Sequence, residues 1–107
     1  MQKVVADNLY EKLLFQLQKD FERANVSISL DLDVKPRELH VVLQEKIYYL
    51  LLEKFTDYLN LLYVIDVPEK EFKSIKVTDV VEIAEQVTLL ILKRELQKIL
   101  LKIKYDS

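Results

Sequence analysis

The longest pattern in the chain is a helical one that runs from Pro36 to Ile65. With successive residues placed 100° apart, most of its large apolar side chains fall within one arc of about 200°. These side chains are Leu43, Ile47, Leu50, Leu51, Phe55, Tyr58, Leu59, Leu62 and Ile65, with Tyr48 and Leu52 at the margin. A helix that packs on one neighbour needs an apolar stripe only about 100° wide. The pattern therefore predicts one long central helix with room for two neighbours.

Two further helical patterns flank the central one. The first begins near Asp7, which can cap it, and carries a single apolar stripe that ends at Ala24. Phe15 lies on the opposite side of this helix, so we expect it to be an exposed aromatic or a contact to a partner chain. The other pattern runs from about Asp79 to Ile103, with Thr78 as the expected cap.

The apolar face of the last helix turns by about 120° between its two halves. In the second half, Leu92, Leu96, Ile99 and Ile103 follow the four, three, four spacing of a coiled-coil seam. Since one straight neighbour cannot cover both halves, the second half is a candidate interface with another subunit.

The chain contains no glycine, so other residues must end its helices. Asn25 stands where glycine often ends a helix, since asparagine tolerates the left-handed conformation best among the other residues. Pro36 fits the first turn of the central helix, and Lys35 before it is pushed towards extended backbone. Pro68 predicts that helix does not continue beyond Val67 and that a short turn opens at residues 68–72.

The segment from Val26 to Val34 alternates strictly between apolar and polar residues, which is typical of a strand. A strand needs a partner, and the candidates are residues 72–77, residues 63–67 or the same segment of a second copy. The alternative is an extended linker whose apolar side seals the bundle. We therefore expect a mainly α single domain over residues 1–107, a three-helix bundle with a long central helix and a short extended or β segment (26–34) between helices 1 and 2.

Composition narrows the classes of function. Half of the residues are hydrophobic and 32% are charged, which is typical of a folded domain and not of a disordered chain. The apolar run at residues 47–52 is far shorter than the roughly 20 residues of a membrane span. The N-terminus lacks the pattern of a secretory signal, so we expect a cytoplasmic protein. Without cysteine or glycine, thiolate chemistry and glycine-rich phosphate loops are excluded.

Candidate chemistry is sparse. His40 is the only histidine, and with Gln44 it falls in the apolar arc of the central helix. A general base or metal ligand is conceivable there, but no second histidine supports it, so we predict no catalytic residue, cofactor or metal. Six tyrosines are compatible with nucleic-acid stacking, yet the net charge of −2 argues against that partner.

The function that the sequence favours is a non-enzymatic interaction module that self-associates as a homodimer. The predicted interface consists of Phe15, Ile28, Leu30, Leu32, Tyr49, Tyr63, Leu92, Leu96, Ile99 and Ile103. Another protein partner is an open alternative, whereas nucleic acid and membrane are not expected. Two other hypotheses are a designed or stabilised helical scaffold, which the missing glycine and cysteine favour, and a small ligand-binding protein or enzyme around His40.

Overall fold

A computed structural model describes residues 2–31, 33–76 and 79–106, and the side chains of residues 8–31, 33–76 and 79–105. The helices are α1 (Gln2–Arg23), α2 (Pro36–Glu53), α3 (Phe55–Ile65), α4 (Glu69–Lys73) and α5 (Val80–Asp106). The prediction of a mainly helical fold is confirmed. Within the described residues no strand is found, so the predicted β segment is not part of this fold.

The helix that contacts all others is α5, not the predicted central helix. It packs against α1, α2, α3 and α4. Its buried side carries the small residues Ala84 and Thr88, which allow close approach of a neighbour, followed by Ile91 and Ile99. The Thr88 hydroxyl donates to the Ala84 carbonyl oxygen at 2.7 Å, so this buried polar group is paired.

The predicted long helix of residues 36–65 is broken at Lys54, where φ is −141° and ψ is 61°. Neither proline nor glycine stands at this residue, so the usual local causes of a kink are absent. The buried side chains of α2 are Leu39, Leu43, Ile47 and Leu50, and those of α3 are Tyr58, Leu61, Leu62 and Ile65. In a straight helix these two sets would point about 55° apart. The break allows each half to direct a narrow stripe into the core.

Residues 26–34 form an extended linker whose apolar side seals the bundle. The alternation of apolar and polar residues is compatible with this linker as well as with a strand. Val26 is buried, and Ile28, Leu30 and Val34 are half-buried against the core. Its carbonyl groups are bound by α1 side chains: Gln18 donates to the Ile28 oxygen at 3.0 Å and Tyr10 to the Val34 oxygen at 2.5 Å. These bonds satisfy backbone groups that a partner strand would otherwise take. Leu32 lies outside the described residues.

Two helices end on a left-handed residue that is not glycine. Asn25 has φ 62° as predicted, and the Val26 amide donates to the Phe21 oxygen at 2.9 Å. Asp66 has φ 71°, and the Val67 amide donates to the Leu62 oxygen at 3.0 Å. Both are Schellman ends, which return the chain sharply towards the core.

The remaining boundaries differ from the predictions by a few residues. The first helix begins at Gln2 and not near Asp7. Pro36 begins α2 and Pro68 precedes the short α4, as expected. Helix α5 begins at Val80, where the Asp79 carboxylate accepts the Val81 amide at 2.9 Å and so acts as the cap. The predicted cap Thr78 lies outside the described residues.

Candidate functional site

The first candidate surface is an exposed apolar stripe on α2 and α3, here called the α2–α3 stripe. It consists of Tyr48, Leu52, Phe55, Leu59 and Tyr63. The exposed fraction is lowest for Tyr48, at 39%, and highest for Tyr63, at 85%. Tyr48 and Leu52 are four residues apart on α2, and Phe55, Leu59 and Tyr63 follow one another at intervals of four on α3, so each helix carries its members on one side. All members except Tyr63 belong to the wide apolar arc of the sequence, and the core leaves them uncovered.

The middle of this stripe is anchored on the core. The Phe55 ring contacts the ring of Tyr58 with centroids 5.4 Å apart, and Tyr58 is buried. Burial raises the pKa of the Tyr58 hydroxyl to about 12, so it remains a neutral core residue at physiological pH. Beside the stripe, the Lys46 ammonium lies 5.7 Å from the centre of the Tyr49 ring.

The second candidate surface is an open groove between α1 and α5, here called the α1–α5 groove. Its volume is about 450 Å³, and it is lined by Lys12, Phe15, Lys19, Ile99, Lys102 and Ile103. Phe15 is 62% exposed, whereas Ile99 is almost fully buried and forms the floor. None of the residues that line the groove is acidic. The groove is therefore apolar at its centre and positively charged at its rim.

Next to this groove lies a buried ionic cluster of Asp20, Glu95 and Lys98. The Lys98 ammonium is 2.6 Å from Asp20 Oδ2 and 2.6 Å from Glu95 Oε1. Gln16, which also lines the groove, donates to Asp20 Oδ2 at 3.1 Å. Both carboxylates have no accessible surface, and Lys98 is 22% exposed. The cluster joins α1 to α5 by a charged bond inside the protein.

Two buried carboxylates share the Lys98 ammonium group, and the mostly exposed Arg23 guanidinium lies 3.7 Å from Asp20 Oδ1. Burial raises the pKa of Glu95 to about 8, and the Asp20 carboxylate adds to this effect against the opposing Lys98. Burial acts on Asp20 too, but hydrogen bonds from Lys98, Glu95 and Gln16 outweigh it and lower the Asp20 pKa. Apart from Lys98 and Asp20, neither Glu95 oxygen has a hydrogen-bond partner among the described residues. Glu95 therefore holds the proton at neutral pH.

This cluster resembles the paired carboxylates of acid–base sites only in composition. In such sites one carboxyl group must reach the reacting atoms. Here neither Asp20 nor Glu95 lines the groove, and both are fully buried. The chemistry that the arrangement supports is a fixed, pH-sensitive connection between two helices.

The predicted pocket around His40 and Gln44 takes a different form. Gln44 lines an open groove of about 360 Å³ between α2 and α5, together with Val41, Tyr48 and Val81. His40 is half-buried and is not part of that lining. Within the described residues, no group of three histidine or carboxylate side chains is arranged to hold a metal ion.

The predicted interface residues separate into three groups. Phe15, Ile99 and Ile103 line the α1–α5 groove, with Leu96 exposed on the same helix as the two isoleucines. Tyr63 ends the α2–α3 stripe and Tyr49 is exposed beside it. A third group is partly buried against the core: Ile28, Leu30 and Leu92. Leu32 is outside the described residues.

Sequence reasoning missed two features of these sites. Leu52, Phe55 and Leu59 were expected in the core, and Tyr48 with them, because a straight helix was assumed. The ionic cluster was missed as well, although the signal was present. Asp20 is three residues after the buried Leu17, and Glu95 is four after the buried Ile91. A charged residue at core spacing on two helices is the pattern that would have indicated a buried pair.

Comparison of the chain with protein-family models, with curated proteins and with solved structures finds no match. Among the described residues, no helix is both long and apolar enough to cross a membrane.

Proposed function

We propose that this protein is a non-enzymatic interaction module that self-associates as a homodimer through the α2–α3 stripe. The observation that supports the proposal is the exposure of five large apolar side chains on α2 and α3 within residues 48–63. Contiguous apolar patches on a single chain mark interaction sites, whereas scattered apolar residues do not.

The composition of the stripe fits a protein interface. Tyrosine and phenylalanine are enriched at the centre of interfaces, where they bury large areas at a low cost in side-chain entropy. Three of the five members are aromatic.

The charges beside the stripe favour a second copy as the occupant. Lys46 and Lys54 carry positive charge, and Glu53 and Asp57 carry negative charge, within the same stretch of chain. A surface with both signs can meet itself across a two-fold axis without the repulsion that a single sign would cause. An isologous dimer therefore covers the apolar row of both copies at once.

The test is a pair of charge substitutions measured by size-exclusion chromatography with light scattering. Leu52→Glu places a carboxylate in the stripe, whereas Leu101→Glu does the same at a similarly exposed leucine of α5. Each copy contributes one Leu52, and each buried leucine is worth about 1.5 kcal/mol or more, so Leu52→Glu should weaken the dimer about 100-fold. Leu101→Glu should leave the dimer intact. Equal behaviour of the two variants would contradict the proposal, and circular dichroism of both checks that they fold.

A further inference from the structure

We propose that the α1–α5 groove is a docking site for an acidic amphipathic helix of another protein. This surface is separate from the α2–α3 stripe and would serve a partner other than a second copy. Two neighbouring helices with apolar side chains between them form the shape into which an amphipathic helix packs. Phe15 and Ile103 supply that apolar surface, and both are exposed.

The rim of the groove determines the charge of the partner. Lys12 and Lys19 lie on α1 and Lys102 lies on α5. None of the three forms an ion pair with a described residue, and no carboxylate lines the groove. Three exposed lysines around an apolar centre complement aspartate or glutamate beside apolar side chains.

The spacing of the lysines fits a helix more closely than it fits other acidic ligands. Lys12 and Lys19 are seven residues apart, which is about 10.5 Å along α1. A partner helix with carboxylates seven residues apart presents them at the same interval, with its apolar positions between them. Single-stranded nucleic acid would instead require several aromatic platforms, and Phe15 is the one aromatic residue that lines the groove.

A second copy is a poor occupant of this groove. Symmetric pairing of the groove with itself would place lysines against lysines, which costs binding energy. The groove is also held open in one geometry, because the buried bond between Asp20 and Lys98 fixes α1 to α5 beside it. A preformed groove spares a partner the cost of ordering the site.

Binding can be measured by fluorescence anisotropy with a labelled synthetic helix of leucine and glutamate in heptad order, and with a matched peptide in which lysine replaces glutamate. We expect the glutamate peptide to bind, the lysine peptide to fail, and the affinity to fall as salt rises from about 0.05 to 0.3 M. The double variant Lys12→Glu with Lys19→Glu should weaken binding about 10- to 30-fold. The control is Lys70→Glu with Lys76→Glu, which makes the same change in net charge at exposed lysines outside the groove.

The apolar centre is tested by Phe15→Ala, which should weaken the peptide about tenfold, against Tyr63→Ala in the stripe, which should not. The proposal is overturned if the glutamate peptide does not bind, if both peptides bind alike, or if the groove and control variants behave alike. It is also overturned if a single-stranded RNA oligonucleotide displaces the peptide with higher affinity. If the Lys12→Glu and Lys19→Glu variant loses self-association, the groove is an interface between copies and the proposal is wrong.

Discussion

Replacing Glu95 by glutamine should stabilise the protein at neutral pH, although it replaces a carboxyl group that contacts Lys98. The reason is the proton that folding forces onto this carboxyl group. Its pKa is about 8 in the folded protein and 4.5 as a free side chain. Between these values the folded state binds a proton that the unfolded state has released. The contribution of Glu95 to the free energy of unfolding is therefore fully present below pH 4.5 and is lost as the pH rises towards 8.

The size of the effect follows from the two pKa values. One pKa unit corresponds to about 1.4 kcal/mol, so raising the pH from 5 to 8 should reduce the free energy of unfolding by about 4 kcal/mol. At pH 7 the loss relative to acidic conditions is about 3 kcal/mol by the same reasoning. The Asp20 pKa is lowered from 3.8, so Asp20 stays ionised throughout this window and adds no slope there. Glutamine is neutral at every pH and has almost the same shape as glutamate. The free energy of unfolding of the variant should therefore not show this fall between pH 5 and 8.

The assay is urea unfolding, followed by circular dichroism, at several pH values between 5 and 8. The quantity of interest is the difference between wild type and Glu95→Gln, because groups common to both proteins cancel. Glu85→Gln is the matched control, since Glu85 is an exposed carboxylate of the same helix. A wild-type stability that stays level or increases from pH 5 to 8, or a Glu95→Gln variant with the wild-type slope, would refute the reasoning.

Three further predictions concern stability and are measured by urea unfolding at one pH. Phe21→Ala should lower the free energy of unfolding by about 3–5 kcal/mol, because this ring is fully buried. Phe15→Ala, on the exposed side of the same helix, should change it by no more than about 0.5 kcal/mol. Equal changes would show that the buried and exposed sides of α1 are wrongly assigned. Asn25→Ala should cost about 1 kcal/mol, because φ is 62° there, and Asn25→Gly should cost nothing; the reverse order would contradict a left-handed helix end. Arg94→Gln should cost at most about 1 kcal/mol, because the Arg94 bond to Asp66 at 2.9 Å is to a mostly exposed carboxylate; a cost of several kcal/mol would indicate a buried pair.

The parts of the fold that depend on local backbone chemistry could be predicted from the sequence. Asn25 ends α1 because asparagine tolerates the left-handed conformation, and Pro36 begins α2 because its fixed φ and missing N–H suit the first turn of a helix. The break at Lys54 could not be predicted, since lysine is a good helix former and no proline or glycine is near. The break depends on tertiary packing, because the buried side chains of α2 and those of α3 would point in different directions on one straight helix.

The segment of residues 26–34 illustrates a second limit. Alternation of apolar and polar residues indicates an extended chain with one buried side, and that much is observed. It does not indicate what pairs with the backbone. Here α1 provides the bonds through Tyr10 and Gln18, two residues with no local signature of that role.

The candidate surfaces could likewise be predicted only in part from the sequence. The excess of apolar positions on the helix of residues 36–65 was visible in the sequence, and Phe15 and Tyr63 were identified as exposed candidates. Which half of the apolar arc stays exposed depends on the break at Lys54. The partnership of Asp20 with Lys98 depends on contacts between residues that are 78 positions apart in the chain.

Sedimentation equilibrium of the wild-type chain measures self-association without any substitution. The chain mass is 12.7 kDa, so a dimer has about twice that value. Over loading concentrations from about 1 to 100 μM, we expect the weight-average mass to rise to that of the dimer and to fit a monomer–dimer equilibrium. A mass that stays at 12.7 kDa at the highest concentration would show that the chain does not self-associate.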